Sequence, residues 1–235
     1  MNKINNNDIR LEIEKHEYKL SKEPEFIFTS VTTIINKFFE PFDEVKISTH
    51  LANNVPKYFG ETPESIMQQW QVAREHGTEV HLEIENWIKE GVEPKDLKSI
   101  AAKKWIDAYI SKPNIDTFSE VIVYSKELAI AGTIDVLMMN KKSGEYVLID
   151  WKTSKRIDKK SFNGKKGIRK ESSNIDDSKY NHYALQLSLY RYILEKYYGI
   201  MVARQLVAQL KDDNVETYSM PYMKDEIVTM INSLN

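Results

Sequence analysis

Two segments joined by a short turn constrain this chain more than anything else in it. Leu128 to Met139 and Glu145 to Thr153 are rich in β-branched residues and are linked by the polar stretch Lys141-Lys142-Ser143-Gly144, the pattern of two antiparallel strands joined by a turn. A four-residue turn pairs Asn140 with Glu145, and counting back along both strands sets Asp135 opposite Asp150. Successive strand residues alternate faces, so Asp150 and Lys152 project together while Ile149 and Trp151 point the other way. Phe118 to Tyr124 reads as a third strand, which makes the region an antiparallel meander.

That register has a chemical cost. Two carboxylates placed opposite one another repel, and a purely structural sheet gains nothing by holding them beside Ile134, Val136, Leu148 and Ile149. A hard cation such as Mg²⁺ or Mn²⁺ removes the conflict, because it takes oxygen ligands and binds through one or two carboxylates. Lys152 beside them then either orients a nucleophile or steadies developing negative charge. The plain alternative is a surface strand with an ordinary ion pair, since Asp-x-Lys is a common tripeptide.

The rest of the chain supplies helices around this meander. Ile9 to Leu20 alternates, and with Phe26-Ile27-Phe28 it predicts one or two short strands. Ser30 or Thr32 caps a short helix through Phe39, ended by Pro41. From Pro63 to Glu90 the residues Ile66, Trp70, Ala73, Gly77, Val80, Ile84 and Trp87 recur at three- and four-residue steps, which predicts an amphipathic helix with a continuous buried stripe. A helix over Leu97 to Ile110 follows the break at Gly91 and Pro94. Tyr183 to Tyr198 predicts another, then strands over Ile200 to Leu210 and Val215 to Met220, and a last helix over Lys224 to Leu234. Between Lys155 and Tyr180 lies a polar, basic loop with neither period, of a length that is usually functional or disordered.

Composition excludes several functions. Without cysteine the chain forms no disulfide, no zinc–thiolate site and no cysteine-ligated iron–sulfur cluster. No apolar run approaches the roughly 20 residues a membrane span needs, and the polar stretch Met1 to Arg10 is unlike a secretory signal, so no membrane partner and a cytoplasmic setting are expected, with mitochondrion or nucleus as alternatives. The net charge of -2, from 33 basic and 35 acidic residues, argues against general polyanion binding, so any nucleic-acid affinity rests on local clustering. The Gly-x-x-x-x-Gly-Lys-Ser/Thr phosphate loop of ATP motors is absent.

Gly132-Thr133-Ile134-Asp135, Ile149-Asp150-Trp151-Lys152-Thr153 and Gln186-x-x-x-Tyr190, in that order across about half the chain, resemble the RecB-like branch of the PD-(D/E)xK nucleases. Gly77-Thr78-Glu79-Val80-His81 resembles the upstream Gly-x-x-x-His motif of the same branch. The resemblance implies an α/β fold with a central mixed β-sheet flanked by helices, a restriction-endonuclease-like core, under an N-terminal helical cap. It implies a single domain over 1–235, with 1–112 holding the first strands and the helical region carrying His81, and 113–235 the catalytic core. It further implies that His81, Asp135, Asp150 and the Trp151 carbonyl ligate Mg²⁺ or Mn²⁺ and that Lys152 is the catalytic lysine. Gln186 and Tyr190, one helical turn apart, would face the site or the DNA, although they also fit a core stripe with Tyr183, Ile193 and Tyr197. Glu120 matches an acidic position of the branch, either touching the metal or supporting a ligand from behind.

The activity so implied is a metal-dependent exonuclease on single-stranded or end-containing DNA in repair, recombination or phage DNA processing, with a helicase or recombination protein acting in trans. A dimeric site-specific endonuclease and a non-catalytic binding module on the same fold are the competing readings. Lys155 and Arg156, opening the basic loop, are candidate phosphate contacts, with Phe162 or Tyr180 stacking on a base; a solvated flexible loop is the alternative. The helical stretch from Phe38 to Ile110 is either an arch over the site or plain scaffold.

Overall fold

The computed structural model describes residue 4 and residues 8–15, 17–110 and 113–234. The rest of the polar start and the expected boundary at 112/113 fall outside or beside these. A hairpin of β1 (Ile9–Glu12) and β2 (Glu17–Leu20) comes first, then the two-residue β3 (Thr29–Ser30) and α1 (Val31–Asn36). Phe26 to Phe28 forms no strand. Ser30 caps α1 by accepting the Thr33 N–H at 3.1 Å, and the helix stops at Asn36, short of Phe39.

Helix α2 (Glu44–Asn54), which sequence periodicity did not single out, precedes α3 (Pro63–Glu90) and α4 (Leu97–Ile110). Thr62 caps α3 with Pro63 in its first turn, and Gly91 ends it in a left-handed conformation at φ 73°. The meander follows as β4 (Ile115–Ser125), β5 (Ile130–Asn140) and β6 (Tyr146–Lys152), then α5 (Lys179–Ile193) continued by a π-helical turn over Leu194–Tyr198, then β7 (Val202–Leu210), β8 (Val215–Ser219) and α6 (Lys224–Asn232).

Six strands form one mixed sheet in the order β3-β5-β6-β7-β8, with β4 also on β5. The β4/β5, β5/β6 and β7/β8 pairs are antiparallel, and β3/β5 and β6/β7 are parallel. Pairing of Val136 with Ile149 and Met139 with Tyr146 is the register the turn predicts, and the ladder ends one step before Asp135 and Asp150.

Apolar cores cover both faces. On one, Val31, Ile34 and Phe38 around α1, Leu185, Leu189 and Ile193 of α5, and Ile227 of α6 pack on Ile134, Leu137 and Leu148. On the other, Val80 and Ile84 of α3 and Ala102 and Ile106 of α4 pack on Val136, Met138, Ile149 and Trp151, with Trp105 edge-on to Trp151 at 5.7 Å. Ile9, Tyr18 and Leu20 of the hairpin cover Ala131. Among the described residues no helix is long and apolar enough to cross a membrane.

The stripe expected along α3 is interrupted. Ile66, Val80 and Ile84 are buried, but residues 71–75, Ala73 among them, are all exposed. The first half of α3 leaves the sheet and pairs with α2, through Arg74–Glu44 at 2.7 Å and the Phe42 and Trp70 rings 5.4 Å apart. The second half is braced by the turn that leads into α4, where the Lys95 and Asp96 N–H groups both donate to Glu83 at 2.9 Å. Helical period alone cannot tell a helix that packs along its length from one that bridges a cap and a core.

One close approach sets the distance between α5 and the sheet. A Cβ on Gly132 would lie 2.5 Å from Tyr190 Cε1 and 3.0 Å from Val31 Cγ2, so only glycine lets the tyrosine ring lie on β5. Gly132→Ala is expected to destabilise the protein by about 1–3 kcal/mol through overpacking, read as a lower urea midpoint at an unchanged m-value.

Candidate metal centre

Neighbouring strands slip together where the acids stand. Phe118 and Val121 of β4 both pack toward the α5-side core, as do Ile134 and Leu137 of β5, while Val136 faces the α4 side. Strict alternation would put residues three apart on opposite faces, so each strand skips once. The skips coincide: Ser119 pairs with Val136 and Val121 with Ile134, leaving Glu120 and Asp135 between them. Glu120 takes the distortion at φ 50°, a left-handed conformation uncommon for residues other than glycine.

The skip sends the Asp135 carboxylate into the sheet margin, where Oδ2 accepts the Trp151 N–H at 2.7 Å. From the other side, His81 on the braced half of α3 brings Nδ1 to 3.7 Å from the same oxygen. Glu120 completes the group. His81, Glu120 and Asp135, all half-buried, each offer one ligand atom, and these atoms lie within 4.8 Å of one another.

Asp150 stands beside that group and is not one of its three residues. It is 3% exposed, with Oδ2 2.6 Å from Lys152 Nζ and Oδ1 accepting from Gln186 Nε2 at 3.1 Å. Its Oδ2 receives no aligned hydrogen bond among the described residues, which leaves a buried lone pair directed at charge alone. Lys152 Nζ also stands 4.8 Å from the centre of the Tyr183 ring, so the ammonium is fixed between a carboxylate and an aromatic face. Sequence had put Tyr183 in a packing stripe; its spacing of three from Gln186 was the available signal.

Other predicted residues are placed as follows. Trp151 meets the site through its backbone, with its side chain 1% exposed in the α4-side core. Tyr190 is 4% exposed and seated against Gly132, where it spaces α5 from the sheet, in keeping with the core-stripe alternative. Gln186 reaches the site through Asp150. Lys155 and Arg156 are exposed just beyond β6, and Arg156 pairs with Asp158 at 2.9 Å.

The electrostatics follow from crowding acids in a half-dry site. Burial first, then the nearby charges of Asp135 and Glu85, push the Glu120 carboxyl up to about 8. Burial also raises Asp150, against the pull of Lys152. For Lys152 burial opposes the charge, but Asp150 and Asp135 outweigh it and hold the ammonium above the ordinary lysine range. Oxygen donors with one imidazole, a Glu120 carboxyl raised first by burial and then by its acidic neighbours, and a buried lone pair on Asp150 suit a hard or borderline divalent cation.

A family model described as the PD-(D/E)XK nuclease superfamily matches residues 41–232. No curated protein matches the chain. Among solved structures, the crystal structure of SSO0001 is similar at 13% identity, covering 88% of this chain and 73% of that one, with a TM-score of 0.38.

Glu120 binds its proton more tightly folded than unfolded, so between 4.5 and about 8 the native state carries the extra proton and stability falls as pH rises. Chelator-treated protein is expected to lose on the order of 5 °C in Tm across that window. Saturating Mn²⁺ should remove most of the loss, and Glu120→Gln should flatten the slope without metal. A pH-independent Tm in the chelated wild type would contradict the assignment.

Proposed function

Since this chain belongs to the PD-(D/E)XK nuclease superfamily, we propose that it is a divalent-metal-dependent deoxyribonuclease of the RecB-like branch, acting as an exonuclease on single-stranded or end-containing DNA. The observation that carries this reading is the meeting of His81, Glu120 and Asp135 ligand atoms within 4.8 Å, beside a buried Asp150–Lys152 pair. In this reading Asp135 and His81 hold Mg²⁺ or Mn²⁺ with Glu120. Asp150 Oδ2 and the Trp151 carbonyl are the further donors within the same motif. The ion supplies activation of water and neutralisation of charge on the phosphate.

The chain's own groups have distinct tasks. Lys152 is held so firmly as an ammonium that it does not serve as a general base near neutral pH; it donates, orienting the attacking water or stabilising negative charge as the phosphodiester gains it. Asp150 holds that ammonium in place, and Gln186 fixes Asp150 through Oδ1. Hydrolysis adds water across the P–O bond, leaving one phosphate end and one hydroxyl end, and the proton released passes to solvent. The α2–α3 cap, standing off the sheet on the stretch of α3 just ahead of His81, supports a preference for ends or single strands over continuous duplex. Such an enzyme fits DNA repair, recombination or phage DNA processing, fed by a helicase or recombination protein in trans.

Incubation of end-labelled single-stranded, linear duplex and circular DNA with Mg²⁺ or Mn²⁺ tests this. Cleavage of the linear substrates should fall by at least about a thousandfold in Lys152→Ala and Asp135→Asn, both folded by circular dichroism. Cleavage by the wild type in EDTA would overturn the mechanism, and discrete fragments from circular duplex would replace exonuclease by endonuclease. In calorimetric titration, His81→Ala should weaken Mn²⁺ binding by roughly 10–100-fold, whereas unchanged affinity would remove His81 from the ligand set.

A further inference from the structure

The stretch from Lys155 to Lys179 carries nine basic and four acidic residues, in a chain whose net charge is -2. It is an organised element. Ile168 donates its N–H to Phe38 O at 2.9 Å, and Gly167 and Asp177 donate theirs to Ile175 O and Lys165 O at 3.0 and 2.9 Å. Arg169 Nε donates to Lys37 O at 2.8 Å, Ser172 Oγ to Phe38 O at 2.8 Å, and Lys165 pairs with Glu40 at 2.6 Å. Lys166 pairs with Asp176 across an isolated antiparallel bridge. At its start Gln209 Nε2 holds Ser154 O at 2.6 Å.

Within this clamped loop two large apolar side chains, Phe162 and Ile168, are turned outward, and of the two only Phe162 carries an aromatic face. Phe162 is 77% exposed, and the two residues after it, Asn163 at φ 54° and Gly164 at φ 68°, are both left-handed. A non-glycine residue in that conformation costs energy, and an exposed phenylalanine forgoes the gain of burying its ring. Tyr180 is different: it packs against the α5-side core, and its hydroxyl donates to Ser219 O at 3.4 Å. Lys155, Lys159 and Lys160, which precede Phe162, make no ion pair among the described residues. Both ends of the loop are tied to the metal centre, one three residues beyond Lys152 and the other entering α5 ahead of Gln186.

We propose that Phe162 is a base-stacking platform for single-stranded nucleic acid, with Lys155, Lys159 and Lys160 receiving the phosphates that lead toward the metal centre. A polyanion with exposed π-faces is the partner whose chemistry matches both parts of the surface, whereas paired bases in duplex do not present a free face to the ring. The proposal rests on the nuclease reading for its biological meaning, but binding tests it apart from cleavage.

The probe is a fluorescein-labelled oligothymidylate, with a duplex of equal length beside it, measured by anisotropy in EDTA so that nothing is cut. Phe162→Ala is expected to weaken single-strand binding roughly tenfold, about 1.4 kcal/mol, with duplex binding and Tm unchanged. Phe162→Trp should retain affinity and show its indole fluorescence quenched by the oligonucleotide. Wild-type affinity in Phe162→Ala, equal losses on both probes, or no oligonucleotide binding by the wild type would each overturn the proposal. If instead the wild type binds single strands through Phe162 but cleaves nothing with Mg²⁺ or Mn²⁺, the nuclease reading falls and this one stands.

Discussion

The hydrogen bond from the Trp151 N–H to Asp135 Oδ2 is the constraint on which the site depends. A side chain here takes a donor that strand pairing would otherwise engage, and it does so where β4 and β5 both skip in their alternation. That single substitution of acceptor keeps β5 tied to β6 while freeing the acids from the regular pleat. With strict alternation kept, Glu120 and Asp135 would stand on the faces that the pleat assigns them and the ligand group would not assemble.

The rest of the site can be understood as the management of crowded negative charge. Glu120, Asp135 and Asp150 face few compensating groups: Lys152 beside Asp150, His81 beside Asp135, and Lys89, itself paired with Glu85. The protein resolves this partly by raising the Glu120 carboxyl to about 8, chiefly through burial, and partly by holding Lys152 above the ordinary lysine range beside Asp150 and Asp135. Both states would suit the proposed divalent ion, since a cation would supply the missing charge without moving the framework. Rigidity comes from elsewhere: Glu83 ties the turn ahead of α4 to the segment of α3 that carries His81, and Tyr190 on Gly132 fixes the spacing of α5.

Around this centre the chain divides its helices by task. The second half of α3 packs on the sheet and delivers His81, while the first half departs with α2 as a cap, its middle exposed on every side. The basic loop follows the opposite logic. It has no period of its own, yet it is fixed by contacts to Lys37 and Phe38 just after α1 and to Glu40, so that a segment with only short 3-10 turns and one β-bridge presents Phe162 in a defined place.

Much of this was legible in the residues. The turn Lys141–Gly144 gave the β5/β6 register because turn length and strand pairing are local, and the ends of α3 and α4 followed from capping residues and breaks. Asp135, Asp150, Lys152 and His81 could be singled out as candidates because their motifs are short and ordered. What only the tertiary structure decided depends on groups far apart in the chain: the left-handed Glu120 that joins the ligand group, Asp150 drawn aside by Lys152 and Gln186, Tyr190 turned into a spacer, and a loop clamped to a helix more than a hundred residues earlier. A sequence states which local geometries are cheap; which of them is abandoned is settled by long-range packing and charge, whose energies no local pattern contains.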